Sequence, residues 1–383
     1  MDYMLTEEQV ELKKIARRIA LEKVKPVAAK YDEESAFPWD MVKVFADAGF
    51  YEVFVPEEYG GAGGGVLELC LVVEELSRIC GGISLAVAAS ALGTFPILIS
   101  GSDEQKARYL PDLVSGRKIA GFGLTEPAAG SDAAAIRTTA VRKGDYYIIN
   151  GTKCFITNGS VAKIYTIIAS TDPAKGSRGA SAFIIEEGFE GFSYGKIEDK
   201  MGIRASATSE LVFEDCKVPV ENRIGSEGKG FSVAMRTLDR ARPGVAAQAV
   251  GIAQGALDLA LEYTMQREQF GKSISSFQGI QWMLADMATQ IEASRALVIA
   301  SARMIDADLS NISQGSAMAK LFASDTAMKV TTDAVQLFGG YGYMKDYPIE
   351  KFMRDAKITQ IYEGTNQIQR EVIARALIRE AAK

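Results

Sequence analysis

One carboxylate in this chain stands where it could move a proton. Glu363 lies in Ile361-Tyr-Glu-Gly-Thr-Asn-Gln-Ile-Gln-Arg370, between an aromatic ring and a glycine and just ahead of a helical pattern. A side chain in such a turn can point into a cleft, and Gly364 lets a ligand or another backbone come close beside it. Taken alone, a Glu near a helix N-terminus is an ordinary dipole partner worth less than ~1 kcal/mol. Composition changes that weighting. The 383 residues contain no histidine, which removes Ser-His-Asp and Cys-His nucleophile systems, His-ligated zinc and the usual base near neutral pH. Proton chemistry must fall to Asp, Glu, Lys, Tyr or Cys.

The element that must position Glu363 is the helix after it. Asn366 is the expected cap of its first turn, with Gln369 returning the bond. Ile368, Val372, Ile373 and Leu377 recur at helical spacing and predict one buried face. Other chemistry finds little support. Cys70, Cys80, Cys154 and Cys216 are scattered, with no C-x-x-C pair to hold a metal, and suit a reducing compartment. No metal ligands are assigned. A net charge of −6 makes no electrostatic case for nucleic acid. No apolar run is read as long enough to span a bilayer, and the first residues do not resemble a signal or transit peptide. The expectation is a cytoplasmic protein, or a mitochondrial-matrix one in a eukaryote, with no membrane insertion.

Along the chain, Thr6-Glu-Glu-Gln9 is a capping box opening a helix that ends at Pro26. Helical patterning continues to about residue 118, with Pro38, the Gly60–Gly65 cluster and Pro96 read as breaks. The glycine cluster lacks both P-loop and dinucleotide-loop spacing, so a flexible loop is expected. Between residues 119 and 233 the period becomes two. Short strands are predicted at 146–149, 154–157, 164–169, 182–185 and 211–213. Gly144-Asp145 and Asn158-Gly159 read as turns, and Asn150-Gly151 as a hairpin. Long helical patterns then return over 246–265, 281–306 and 314–336, the lengths of a bundle.

Six segments resemble those of the acyl-CoA dehydrogenase family, in the family's order and spacing. They are Leu124-Thr-Glu-Pro-Ala-Ala-Gly-Ser-Asp132, Lys153-Cys-Phe-Ile-Thr-Asn158, Arg267-Glu-Gln-Phe-Gly-Lys272, Asp333-Ala-Val-Gln-Leu-Phe-Gly-Gly340, Met353-Arg-Asp-Ala-Lys357 and Ile361-Tyr-Glu-Gly-Thr365. The resemblance runs over essentially the whole chain and is nearest to the short- and medium-chain type. It implies an α+β fold: an N-terminal helical domain (1–118), a middle antiparallel β-barrel (119–233) and a C-terminal four-helix bundle (234–383). It also implies FAD between barrel and bundle, an acyl-CoA substrate, an electron-transfer flavoprotein as partner, and a homotetramer built as a dimer of dimers.

Carried over by position, Glu363 matches the family's catalytic base. Phe122, Leu124, Thr125, Phe155 and Thr157 match residues around the flavin, with Phe155 covering one face where some relatives have Trp. Ser131 is shared between flavin and thioester arm. Leu238, Asp239, Arg242, Tyr362 and Gly364 match substrate contacts. Arg267, Phe270, Gln278, Gln336 and Gly340 match a set that a neighbouring subunit offers to FAD, and Thr365 and Gln367 match cofactor contacts beside the base. Some relatives carry the base on a bundle helix instead, at the position that here is Ala241, which cannot accept a proton.

The reaction implied is α,β-dehydrogenation of an acyl thioester to the trans-2-enoyl-CoA, Glu363 taking the α-proton while hydride passes to flavin N5. The family's pocket wall corresponds to residues 83–92, small and apolar, and 83–100 holds no Lys or Arg to pair a distal carboxylate. A glutaryl-type substrate is therefore disfavoured, leaving short- to medium-chain, branched or cyclic acyl groups. Two other readings stand beside this one. An acyl-CoA oxidase would yield peroxide under air, and such relatives tend to carry an added C-terminal domain. A non-catalytic scaffold would need a basic surface or a lost base.

Overall fold

The computed structural model describes residues 3–382. Six helices come first: α1 (Glu7–Ile19), α2 (Ala28–Glu34), α3 (Trp39–Asp47), α4 (Val66–Ser77), α5 (Gly81–Ser100) and α6 (Asp103–Val114). The capping box is present. Gln9 N donates to Thr6 Oγ1 at 3.2 Å, and Thr6 N donates to Gln9 Oε1 at 3.0 Å.

Of the expected breaks, Pro96 fails, and the Gly60–Gly65 break is present but packed. Helix α5 runs straight through Pro96, because a helix buried on every side is held by packing that outweighs one missing backbone bond. The Gly60–Gly65 loop is a tightly packed turn. A Cβ on Gly61 would fall 2.0 Å from the Val55 carbonyl oxygen, and one on Gly65 2.3 Å from Asp306 Oδ1. That carboxylate caps α4, accepting from Val66 N at 2.7 Å and Leu67 N at 2.9 Å.

The middle region is an eight-stranded sheet: β1 (Ala120–Gly123), β2 (Thr139–Lys143), β3 (Tyr146–Thr157), β4 (Ile164–Ser170), β5 (Ala180–Glu186), β6 (Phe192–Ile197), β7 (Thr208–Pro219) and β8 (Arg223–Ile224). The order is β6-β7-β3-β2-β4-β5-β8, with β1 also on β4. Pairing is antiparallel except for β1 and β2 against β4, which are parallel. Gly144-Asp145 makes the β2–β3 hairpin, Lys143 pairing with Tyr146. Asn150-Gly151 does not turn the chain. It lies inside β3, where the pairing with β7 shifts register between Ile149 and Gly151. The side chains on either side continue the same strand, so the two runs predicted at 146–149 and 154–157 are one bulged strand.

The remainder is helical: α7 (Gly230–Gln266), α8 (Gln278–Asp306), α9 (Ile312–Phe338), α10 (Ile349–Thr359) and α11 (Asn366–Ala381), with a small ribbon of β9 (Glu268–Gln269) and β10 (Lys272–Ser273) after α7. Helix α7 starts well before the predicted residue 246 and carries Pro243 within it. It packs on α9, α4 and α5. Its approach to α4 is close because Gly251 and Gly255 lack side chains; a Cβ there would fall 2.3 Å from the Glu74 oxygen and 2.2 Å from that of Arg78. Helices α5 and α7 are, against the sequence reading, long and apolar enough to cross a membrane. Most of each is instead buried inside the protein, the position of core helices. All four cysteines are free and buried.

Candidate active site

The turn between α10 and α11 is built to hold one carboxylate inward. Glu363 and Gly364 both take left-handed backbone, φ +53° and +89°. For a residue with a Cβ this conformation costs roughly 1 kcal/mol or more and persists only where the surroundings impose it. Three side chains impose it. Gln369 Nε2 donates to the Glu363 carbonyl at 3.1 Å and to that of Gly364 at 2.9 Å. Lys320 Nζ donates to the Gly364 carbonyl at 2.9 Å, and Arg242 Nε reaches the Glu363 carbonyl at 3.4 Å.

This arrangement corrects the expected cap. Thr365, not Asn366, is the N-cap of α11, its Oγ1 accepting from Ile368 N at 3.3 Å. Gln369 turns inward because the turn's carbonyls, lacking helical partners, need buried donors, and Asn366 turns inward onto α9. Asn366 Oδ1 accepts from Lys320 Nζ at 2.9 Å, and its Nδ2 donates to Asp325 Oδ1 at 2.7 Å. The apolar stripe on α11 is also less covered than its spacing predicts. Ile368, Val372 and Ile373 are half-buried, and Leu377 is half exposed.

Glu363 Oε2 has no solvent contact and no hydrogen-bond partner. Burial pushes this carboxyl up to about 7, against the pull of the Arg242 and Lys320 charges. Arg242 is itself buried and paired to Asp239 Oδ1 at 2.7 Å. Behind the turn, the Tyr362 hydroxyl donates to Gln248 Oε1, and Gln248 Nε2 donates to the Gly81 carbonyl at 2.8 Å. That chain of bonds fixes the turn to the start of α5.

Glu363 opens on a cleft of about 560 Å³ between α5, α7, the sheet and α11. One wall is α5, which presents Leu85, Ala88, Ala89, Leu92 and Phe95, while Ile83, Val87 and Ala91 face the core. Thr125, Phe155 and Thr157 also line it. Phe155 has φ +57° and is 65% exposed, so a flat apolar ring is held out over the cleft by strained backbone. The loop carrying Thr125 rests on a buried ion pair, Lys153 Nζ to Glu126 Oε1 at 2.6 Å. Lys153 also donates to the Leu124 carbonyl at 3.1 Å, and Cys154 N to that of Thr125 at 2.9 Å.

Of the residues predicted from sequence, the fold brings Phe122, Leu124, Thr125, Ser131, Phe155, Thr157, Leu238, Arg242, Tyr362, Glu363 and Gly364 to this one cleft. Ala241, the alternative base position, lines it too. Eight others do not line it. Asp239 is taken up by Arg242 and by Ser313 Oγ at 2.9 Å, Thr365 caps its helix, and Gln367 points to solvent. Arg267, Phe270, Gln278, Gln336 and Gly340 lie outside the cleft, all but Arg267 exposed. Arg267 lies over the Tyr341 ring, 5.8 Å from its centre.

Sequence reasoning missed Lys320, Gln248 and the Glu126–Lys153 pair, and gave Gln369 a capping role instead of its bonds to the turn's carbonyls. Lys320 left a legible trace. It falls at helical spacing among Ser316, Ala323, Ala327, Val330 and Ala334, all buried in α9, and a lysine on a core stripe is rare without a partner.

The arrangement is therefore a largely apolar cleft that carries a buried, unpartnered carboxylate oxygen and is lined also by two threonines and a flat ring. Comparison with known proteins agrees with it along the whole chain. Models of the acyl-CoA dehydrogenase N-terminal, middle and C-terminal domains match residues 6–117, 121–216 and 228–378. The chain is 53% identical over 380 residues to a short-chain-specific acyl-CoA dehydrogenase of Clostridium acetobutylicum, covering 99% of this chain and 100% of that one. The structure of butyryl-CoA dehydrogenase from Megasphaera elsdenii superposes with a TM-score of 0.96 at 48% identity, covering 99% of this chain and 100% of that one. A structure described for the electron transferring flavoprotein of Acidaminococcus fermentans contains a chain similar at TM-score 0.97 and 53% identity, with coverage of 99% and 100%.

Proposed function

The chain belongs to the acyl-CoA dehydrogenase family, a family of FAD-binding oxidoreductases, and on that premise we propose that Glu363 is the base that takes the α-proton of a short- to medium-chain acyl-CoA. The product is the trans-2-enoyl-CoA. The observation that supports this most directly is the Glu363 carboxylate oxygen Oε2, buried without a partner on the wall of a largely apolar cleft.

The residues present fit a flavin. Phe155 offers an uncovered flat face, and Thr125 and Thr157 set hydroxyls along the same wall. Phe122, Leu124 and Ser131 complete the group that would hold FAD from within this chain. The chemistry supplied by bound FAD is acceptance of a hydride from the substrate β-carbon.

The protein's own part is to make the α-proton removable. Water exclusion by the cleft raises the affinity of Glu363 for that proton toward working pH. The turn that aims the carboxylate leaves the Glu363 backbone N–H without a bonded acceptor among the described residues. That donor is free to hold the thioester oxygen as negative charge develops there. Arg242, beside the same turn, and Leu238 and Tyr362 on the cleft wall contact the thioester arm. Leu85, Ala88, Ala89 and Leu92 shape the acyl end. Among the described residues no cation lines that wall, which agrees with the C. acetobutylicum and M. elsdenii relatives being named for short chains. The similarity to a chain in an electron-transferring flavoprotein structure supports such a flavoprotein as electron acceptor. We place the enzyme in the cytoplasm as a homotetramer.

The test is an anaerobic titration of the purified yellow protein with acyl-CoA thioesters. Butyryl-CoA is expected to bleach the flavin, and E363Q, folded and still yellow, to bleach slower by orders of magnitude. A yellow E363Q that turns over at near the wild-type rate overturns the assignment.

A further inference from the structure

Lys320 is fully buried in α9, and no carboxylate pairs with it among the described residues. Its ammonium donates to two neutral oxygens, the Gly364 carbonyl and Asn366 Oδ1, each at 2.9 Å. A buried, unpaired ammonium is costly, and an amide side chain could serve the Gly364 carbonyl without a charge. Hydrogen bonding alone therefore leaves the charge without a purpose.

The surrounding charges show where it acts. Arg242, on α7, is neutralised by Asp239 at 2.7 Å. Asp325, the acid nearest on Lys320's own helix, is engaged by Gln360 Nε2 at 2.7 Å, Asn366 Nδ2 at 2.7 Å and Arg370 Nη2 at 3.1 Å. The remaining ionisable group facing Lys320 is Glu363, in the turn whose next carbonyl Lys320 holds.

We propose that Lys320 is a positioning residue for Glu363: its ammonium locks the turn through Gly364 and Asn366, and its uncompensated charge favours the carboxylate over the carboxylic acid. The proposal rests on Glu363 being the base. Two features agree with it. The attraction of Lys320 opposes the burial that raises Glu363; burial also lowers Lys320 to about 7, so this attraction acts on the acid limb and fades above neutrality. The lock also explains how a left-handed glutamate stays put, since Lys320 and Gln369 together saturate the Gly364 carbonyl.

The experiment reads two quantities on wild type, K320M, K320R and E363Q. One is the acid limb of the kcat/KM profile of the flavin-loaded enzyme. The other is the infrared carboxyl titration of the flavin-loaded enzyme without substrate, the band being identified by its loss in E363Q. In K320M both midpoints are expected to move toward alkaline pH by about one unit, with kcat at pH 7 falling about tenfold and KM little changed; K320R returns both toward wild type. If K320M does not fold, K320Q, which keeps a donor for Gly364, is read in the same way. Midpoints that coincide with wild type in a folded, uncharged variant overturn the proposal. An active E363Q sinks the base assignment itself, whereas an inactive E363Q beside an unmoved K320M sinks only the role of Lys320.

Discussion

Lys153 Nζ and Glu126 Oε1 lie 2.6 Å apart, with their side chains 0% and 5% exposed, beneath the loop that carries Thr125. Glu126 is also saturated by Arg137 N at 2.6 Å and Thr138 N at 3.0 Å. The pair is thus a strut between β3 and the loop that forms one wall of the cleft. Glu126→Gln leaves the buried ammonium unpaired, which is expected to cost about 3–5 kcal/mol. Flavin should be lost along with the loop. Denaturant unfolding and the flavin absorbance retained after dialysis check this. Burial alone would raise the Glu126 carboxyl, but Lys153 and the donors from Thr138 and Arg137 outweigh it and hold the group below 4.5. Its contribution to stability is therefore full above that value and lost as pH falls through the lower folded value.

Glu363 carries the opposite sign. Its folded value, about 7, lies above the ordinary 4.5, so the folded state holds the proton more tightly between those two values. Stability is full below 4.5 and declines as pH rises through about 7. Activity runs the other way, because the base must be ionised. The expected profile is a kcat/KM that rises about tenfold per pH unit below neutrality and then levels. E363Q, which never ionises, should be more stable than wild type at pH 8 by about 1–3 kcal/mol and no more stable at pH 4. Urea unfolding at the two pH values decides it.

The acyl end of the cleft is set by small residues on α5. Ala89 lines it and is 4% exposed. Ala89→Leu is expected to lower kcat/KM for octanoyl-CoA at least about tenfold more than for butyryl-CoA, since each methylene displaced from an apolar pocket is worth ~1–3 kcal/mol. A substrate panel measured on both proteins checks the ratio.

Phe270 is 92% exposed and has left-handed backbone, φ +54°. An apolar ring held out in that way fits the expectation that Arg267 and Phe270 reach the flavin of a neighbouring subunit. Arg267→Ala is expected to reduce both flavin content and oligomer stability. Dialysis followed by sedentation-velocity or light-scattering measurement of mass reads the two together.

The local parts of the site were legible in the chain. Glu363 stands in a turn because Gly364 and a capping residue follow it, and the absence of histidine narrowed the choice of base. The α, β, α order followed from periodicity, and the alanine-rich run of α5 was expected as a wall through the resemblance to the family. Local rules also misled where tertiary packing was stronger. Pro96 does not break a helix enclosed on all sides, and Asn150-Gly151 does not turn a strand that β2 and β7 pair on either side.

What the sequence by itself determined is the element that carries the chemistry, an acid in a glycine turn before a helix, which depends on neighbours a few residues apart; the flanking ring, the hydroxyls and the slot of small side chains were expected only through the resemblance of the motifs. What only the tertiary structure decided is the environment of that acid. Lys320 meets Gly364 from α9, Arg242 meets the same turn from α7, and Gln248 ties Tyr362 to the start of α5. The proton affinity of Glu363 depends on burial and on charges brought close by chain crossings, and no spacing along the sequence encodes those distances.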